Sequence, residues 1–296
     1  SVTGVSIDPT YAGRDPLREL IDAAHARDIK VFAWFEYGFA ANNGSPGPIL
    51  DARPEWAAIN NSGNQVVKNG FFWMNSLHPD VQGFMTDLVL EVVQNYPDID
   101  GVQGDDRLPA MPTEGGYDDY TRAEYAAEHN GASPPNDSKN SAWVRWRANR
   151  LNDYARDLYQ QVKAINPDCI VAMSPSPMTF GLVEYLQDYP TWVNEGYCDI
   201  VSPQLYRRDN QGLGVYRSLL LQQLNLINPS RRNTFYPGIL SYLGSYTPSE
   251  QFMVDMIRVN RERGVAGEVH FFYNALLVRD RVLRVLYPGE AIFPTF

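Results

Sequence analysis

Six times along this chain a short apolar run alternates with a stretch of helical spacing, and that alternation limits the fold more than any other feature. The runs occupy 31–36, 99–103, 170–173, 200–206, 234–240 and 268–273. The helical stretches fall at 15–28, 79–96, 141–165, 180–189, 215–226, 248–263 and 279–286. Thr247 reads as the cap of the stretch at 248–263, with Pro248 as its first helical residue. Such alternation predicts a parallel sheet covered by helices. Six units are two short of a closed (β/α)8 barrel. The expectation is therefore a (β/α)8 TIM barrel whose first two strands precede Ser1, with an open sheet as the alternative. On this reading 1–296 is a single barrel domain, N-terminally truncated or cropped.

The connections are uneven. Segments 37–72 and 107–140 follow strand ends and are long, whereas 27–29 and 166–168 are short. Barrels build their sites from long loops at the C-terminal ends of strands, so this asymmetry marks one end as functional. A length of 296 residues with 44% hydrophobic content suits one core. The formal charge of −10 argues against nucleic acid or an anionic membrane surface as partner. No run of about 18 apolar residues predicts a membrane-spanning helix. Cys169 and Cys198 are too few for a disulfide framework and each precedes a strand. Two buried thiols are expected, with a single disulfide as the alternative.

The segment Asp98-Ile99-Asp100-Gly101-Val102-Gln103-Gly104-Asp105-Asp106 carries the chemistry. It reads as a buried strand running into two adjacent carboxylates at the loop-rich end. Strand alternation sorts its neighbours. Phe32, Trp34 and Glu36 share a face that turns Glu36 inward. Gly101, Gln103 and Asp105 share another, as do Ser202, Gln204 and Tyr206, and Glu268, His270, Phe272 and Asn274. Polar residues facing a barrel interior are costly unless used. Glu36, Asp105, Gln204 and Tyr206 all point toward one mouth. Crowded carboxylates raise one another's pKa, which supplies an acid and a base from like residues.

Each feature also has a plain structural reading. Asp-Asp at a strand end is a common turn or cap. Glu36 is within reach of pairing with Arg107, and His270 reads as a hydrogen-bonded core residue. The run Tyr206-Arg207-Arg208 suits an anion or a solvated loop equally. The 6 Trp, 18 Tyr and 13 Phe suit sugar stacking and core packing alike. No metal or other cofactor is expected: there is no helical His pair, no Cys cluster and no phosphate loop. Gly-x-Ser-x-Gly is absent too, which disfavours a serine nucleophile.

The segment from Asp100 to Asp106 resembles the Asp-Gly-x-x-x-Asp-Asp signature of the bacterial family-10-like glycosyl hydrolases, in versions common in cyanobacteria. Trp73-Met74-Asn75 with His78-Pro79-Asp80-Val81 is similar to a second block of that family. The pieces at 15–27, 31–36, 200–206 and 271–273 fit as well. Gly104, Arg107 and Ser76 depart from the pattern around these blocks. The resemblance implies a TIM barrel, export to the periplasm or beyond, and cleavage of an envelope or extracellular polysaccharide. That substrate is expected to contain N-acetylhexosamine, as in peptide-free peptidoglycan glycan. On this reading Asp106 is the general acid/base and Glu36 or Asp105 the second carboxylate. An inward Asp105 could instead orient a substrate acetamido group. Gln204 and Tyr206 bond the sugar, Asn75 and Asn274 join the substrate site, and Trp34 and Trp73 are stacking platforms or core. A non-catalytic glycan-binding barrel and a metal-dependent hydrolase using the Asp pair are the alternatives.

Overall fold

A computed structural model describes residues 8–294. The chain runs through α1 (Pro16–His25) into β1 (Phe32–Phe35). A long insertion follows, made of β2 (Ala40–Asn43), α2 (Gly47–Ala52), β3 (Val67–Lys68) and β4 (Phe71–Trp73). Next come α3 (Pro79–Asn95), β5 (Gly101–Gly104), α4 (Asp119–Glu128), α5 (Ser141–Ile165) and β6 (Ile170–Met173). After α6 (Phe180–Tyr185) and α7 (Tyr189–Asn194) lie β7 (Ile200–Val201), α8 (Leu213–Leu224) and β8 (Gly238–Leu240). The chain closes with α9 (Glu250–Glu262), β9 (Val269–Phe271) and α10 (Asn274–Leu286).

Strands β1, β5, β6 and β7 form a parallel sheet in that order, and β8 pairs parallel with β9. Parallel bridges Val201–Phe235 and Gln204–Gly238 join the two sheets into one arc of six strands. Among the described residues no strand pairs with the outer edges of β1 or β9. The inward-facing Trp34 accordingly stays 48% exposed.

The local causes are visible in the sequence. Asp15 caps α1 by accepting from Arg18 N, with Pro16 at the first helical position. Asn140 caps α5 by accepting from Ala142 N and Trp143 N. That helix buries Val144, Ala148, Leu151, Ala155, Leu158 and Val162 along one stripe. The expected cap Thr247 is displaced by Ser249, whose hydroxyl accepts from Phe252 N, so the helix begins two residues later. Leu186, at φ 60°, ends α6 and splits the expected 180–189 helix from α7. Pro203 lacks an N–H and shortens the expected 200–206 strand to β7 plus one bridge at Gln204. Cys169 and Cys198 are both free and buried, and burial raises their thiols to about 11 and about 12.

Two aspartates pin the strand N-termini. Asp100 accepts from Val31 N at 2.8 Å and pairs with Lys30 and His25. Asp199 accepts from Val171 N at 2.9 Å and pairs with Lys163. A cleft of about 530 Å³ lies at this end, but its carboxylates Asp98, Asp100 and Asp199 are already held in ion pairs.

At the other end, the loop between β5 and α5 is tied down by Arg147, which is fully buried. Its guanidinium donates to the carbonyls of Thr113, Gly115 and Ser138 at 2.5–2.6 Å and lies 4.3 Å over the Trp143 ring. Burial lowers its pKa to about 9, against the opposing influence of Tyr117 and Glu114. Replacing this cation with an apolar side chain strands three buried acceptors. Arg147→Met should therefore lower unfolding free energy by about 3 kcal/mol, read by urea denaturation. A loss below about 0.5 kcal/mol would show that the loop does not depend on it.

Candidate active site

The site forms where β5 ends. Gly104 admits no side chain: a Cβ there would fall 2.4 Å from the Leu108 carbonyl oxygen and 2.9 Å from Met173 Sδ. That close approach lets Asp105–Leu108 turn back over the strand, closed by Leu108 N donating to the Asp105 carbonyl at 3.1 Å. Gln187, fully buried, donates to the carbonyls of Asp106 and Pro109 and accepts from Ser176 N, fixing the turn from below.

Asp105 is 7% exposed and lines a cavity of about 220 Å³ with Trp34, Gln103, Ser174, Tyr206 and Phe271. Gln204 Nε2 donates to Asp105 Oδ1 at 2.7 Å and to the Ser174 carbonyl at 3.2 Å. The second bond fixes which way the Gln204 amide faces. Burial first, then the charge of Asp106, raises the Asp105 carboxyl to about 7. Asp106 is more open, its side chain 32% exposed, and burial raises its carboxyl while Arg107 opposes the rise. Arg107 Nη1 lies 3.0 Å from Asp106 Oδ1 but off hydrogen-bond alignment, so that buried oxygen accepts no hydrogen bond. Glu36 follows β1, half exposed, with Oε1 3.4 Å from Arg107 Nη2. The structure thus brings Asp106 and Glu36 to one guanidinium, with Asp105 beside them on the Gln204 amide. Burial and then the charges of Asp105 and Asp106 keep the Tyr206 phenol un-ionised.

Other expected site residues sit elsewhere. Asn75 is 1% exposed and spends its amide on Asp118, Thr121 and Leu77 N, which anchors α4 rather than a substrate. Trp73 is 2% exposed and packs against Tyr185, so it offers no face to a sugar. Asn274 opens α10 and is not among the residues that line the cavity, whereas four consecutive residues, Val269 to Phe272, are. The His270 ring instead meets Ser241 Oγ and Tyr287 OH, both at 2.8 Å. Gln204 holds Asp105 in place with the amide nitrogen expected to meet sugar. Trp34 and Tyr206 do line the cavity, the latter 5.2 Å from the Phe271 ring. Sequence reasoning missed Ser174, Gln187 and the insertion's Phe71, which supports Arg107. Phe71 had a signal: Asn69-Gly70, both at positive φ, turns β3 into β4 as a two-residue hairpin. Among the described residues no three His, Cys, Asp or Glu side chains are arranged to hold a metal ion.

Residues 6–242 match the family model described as Glycosyl hydrolase-like 10. The chain belongs to that family. Glycosyl hydrolase DigH of Escherichia coli (strain K12) is 27% identical over 252 residues, covering 78% of this chain and 54% of its own length. Glycosyl hydrolase YngK of Bacillus subtilis (strain 168) is 25% identical, covering 99% of this chain and 60% of its own length. The chain thus spans little more than half of each relative. The glycoside hydrolase domain of PgaB (BpsB) from Bordetella bronchiseptica superposes with a TM-score of 0.64 at 13% identity, covering 88% of this chain and 75% of that one. A GH42 beta-galactosidase from G. stearothermophilus gives 0.61 at 10% identity, covering 87% and 43%. These likenesses show the TIM-barrel fold.

A buried carboxyl raised to about 7 makes stability fall with pH. Between the unfolded value near 3.8 and the folded value, the folded state binds more protons than the unfolded one. Stability is then lost as pH rises through that window. Asp105→Asn removes the effect while keeping the acceptor for Gln204. It should raise the thermal midpoint by several degrees at pH 8 and hardly at pH 4. An equal change at both pH values would contradict the burial of a strained carboxylate.

Proposed function

We propose that this protein hydrolyses glycosidic bonds in an envelope or extracellular polysaccharide containing N-acetylhexosamine, such as peptide-free peptidoglycan glycan, working in the periplasm or outside the cell. One observation carries the reading: a buried carboxylate, Asp105, lines an aromatic-lined cavity at the end of a barrel strand, and the more exposed Asp106 follows it directly in the chain. Membership of a glycosyl hydrolase-like family, and relatives named glycosyl hydrolases, support it.

In this reading Asp105 holds the proton at neutral pH and gives it to the leaving glycosidic oxygen. That reverses the expected order, in which Asp106 was the acid, because Asp105 is the more deeply buried of the two and has no cation in contact. Asp106, more open to water and beside Arg107, is the ionised partner that stabilises positive charge developing at the sugar or draws a proton from water. Glu36 is a third carboxylate at the rim. For a substrate with an acetamido group next to the bond, that group is itself a competent nucleophile, and the aspartates orient it. Trp34, Tyr206 and Phe271 supply faces on which sugar rings stack.

The test is reducing-end release from peptide-free peptidoglycan glycan, acetylated and deacetylated hexosamine polymers, and neutral glucans. Asp105→Asn and Asp106→Asn should each lower release by about 10²–10⁴-fold while the protein stays folded. Wild-type activity in both variants would sink the assignment. Saturable binding without release by the native protein would leave a glycan-binding barrel instead.

A further inference from the structure

Arg107 is a cation built into an acidic mouth, and the acid–base scheme does not by itself call for it. Its Nε donates to the Glu36 carbonyl at 3.0 Å, Nη2 lies 3.4 Å from Glu36 Oε1, and Nη1 lies 3.0 Å from Asp106 Oδ1. The guanidinium rests 4.6 Å over the Phe71 ring and 5.9 Å from Tyr37. Its own carbonyl accepts from Phe39 N at 2.9 Å, and a Cβ at Gly38 would meet that oxygen at 2.3 Å. The side chain is only 13% exposed, so head and backbone are both fixed and poorly screened. One guanidinium therefore joins carboxylates from two adjacent strand ends, those of β1 and β5. On the far side of the pair, Asp105 accepts from neutral donors, the Gln204 amide and the Asp106 backbone N–H.

We infer that Arg107 is the positioning residue that makes two chemically identical aspartates unequal, by setting a fixed positive charge against Asp106 and Glu36 and leaving Asp105 with a neutral partner. The inference rests on the glycosidase reading for its kinetic consequence, not for its electrostatics. The other ionisable groups facing the pair are Tyr185 from α6 and Tyr206 beyond β7. Burial first, then the Asp106 charge, raises Tyr185 to about 12, and Tyr206 is raised too, so neither supplies charge near neutral pH. A cation within about 4–6 Å favours an ionised carboxylate, whereas a like charge disfavours it. Without Arg107 both aspartates resist ionisation together, and no member of the pair is a dependable base.

The test compares wild type, Arg107→Gln and Arg107→Lys, with thermal midpoints measured in parallel. In ¹³C-carboxyl NMR titrations, Asp106 should titrate higher in Arg107→Gln by about one pH unit and return toward wild type in Arg107→Lys. The acidic limb of kcat/KM on the responsive polysaccharide should follow, moving up by about one pH unit in the Gln variant and back in the Lys variant. An Asp106 titration unchanged in Arg107→Gln overturns the inference, even if activity falls with the folded fraction. Should the Gln variant not fold, Arg107→Lys decides it: this variant must keep the wild-type limb and titration, and losing either contradicts a role set by charge. Full activity in Asp105→Asn and Asp106→Asn defeats the glycosidase reading instead, and leaves the NMR result to judge Arg107.

Discussion

Burying two adjacent carboxylates at the end of one strand is the constraint around which the mouth of this barrel is organised. An ionised carboxylate loses several kcal/mol of hydration when buried, and a second one beside it adds repulsion. The fold meets that cost with four fixed groups. Gln204 bonds Asp105, Arg107 sits against Asp106, Gln187 holds the turn by its carbonyls, and Gly104 leaves room for the turn. Gly104 and Arg107 flank the pair in the chain, whereas Gln187 and Gln204 reach it from distant segments. The site is therefore assembled from β1, β5, β7 and the segment joining α6 to α7, and it exists only when the arc does.

The larger framework divides the work between the two ends of the strands. At the N-terminal ends, Asp100 and Asp199 are fully committed to backbone N–H groups and lysines. At the C-terminal ends, Asp106 retains a buried oxygen without a hydrogen bond, and burial raises the Asp105 carboxyl to about 7. Similar residue types are thus structural at one end and chemically poised at the other. The difference lies in whether a cation or N–H group meets the carboxylate.

Much of this was legible in the sequence. The run at 141–165 coincides with α5 and that at 170–173 with β6, because their patterns are long or bounded by clear caps and turns. The Asp105–Asp106 pair and the inward set of Trp34, Gln103, Gln204 and Tyr206 followed from period-two alternation. Alternation did not sort β9, where Val269, His270, Phe271 and Phe272 all line the cavity: it is an edge strand among the described residues, so both of its faces reach open space. Trp73 and Asn75 were misplaced for another reason. They stand in the right block, but burial by Tyr185 and by Asp118 and Thr121 depends on loops that fold far from them in sequence. The partner of Gln204 was out of reach too, since 99 residues separate it from Asp105.

The most direct test of this account is to locate the proton itself. Neutron diffraction from deuterium-exchanged crystals near neutral pH would show it. The account predicts a deuteron on Asp105 Oδ2, the oxygen that Gln204 does not occupy, and none on Asp106. A deuteron on Asp106 with Asp105 bare, or two bare carboxylates, would contradict it.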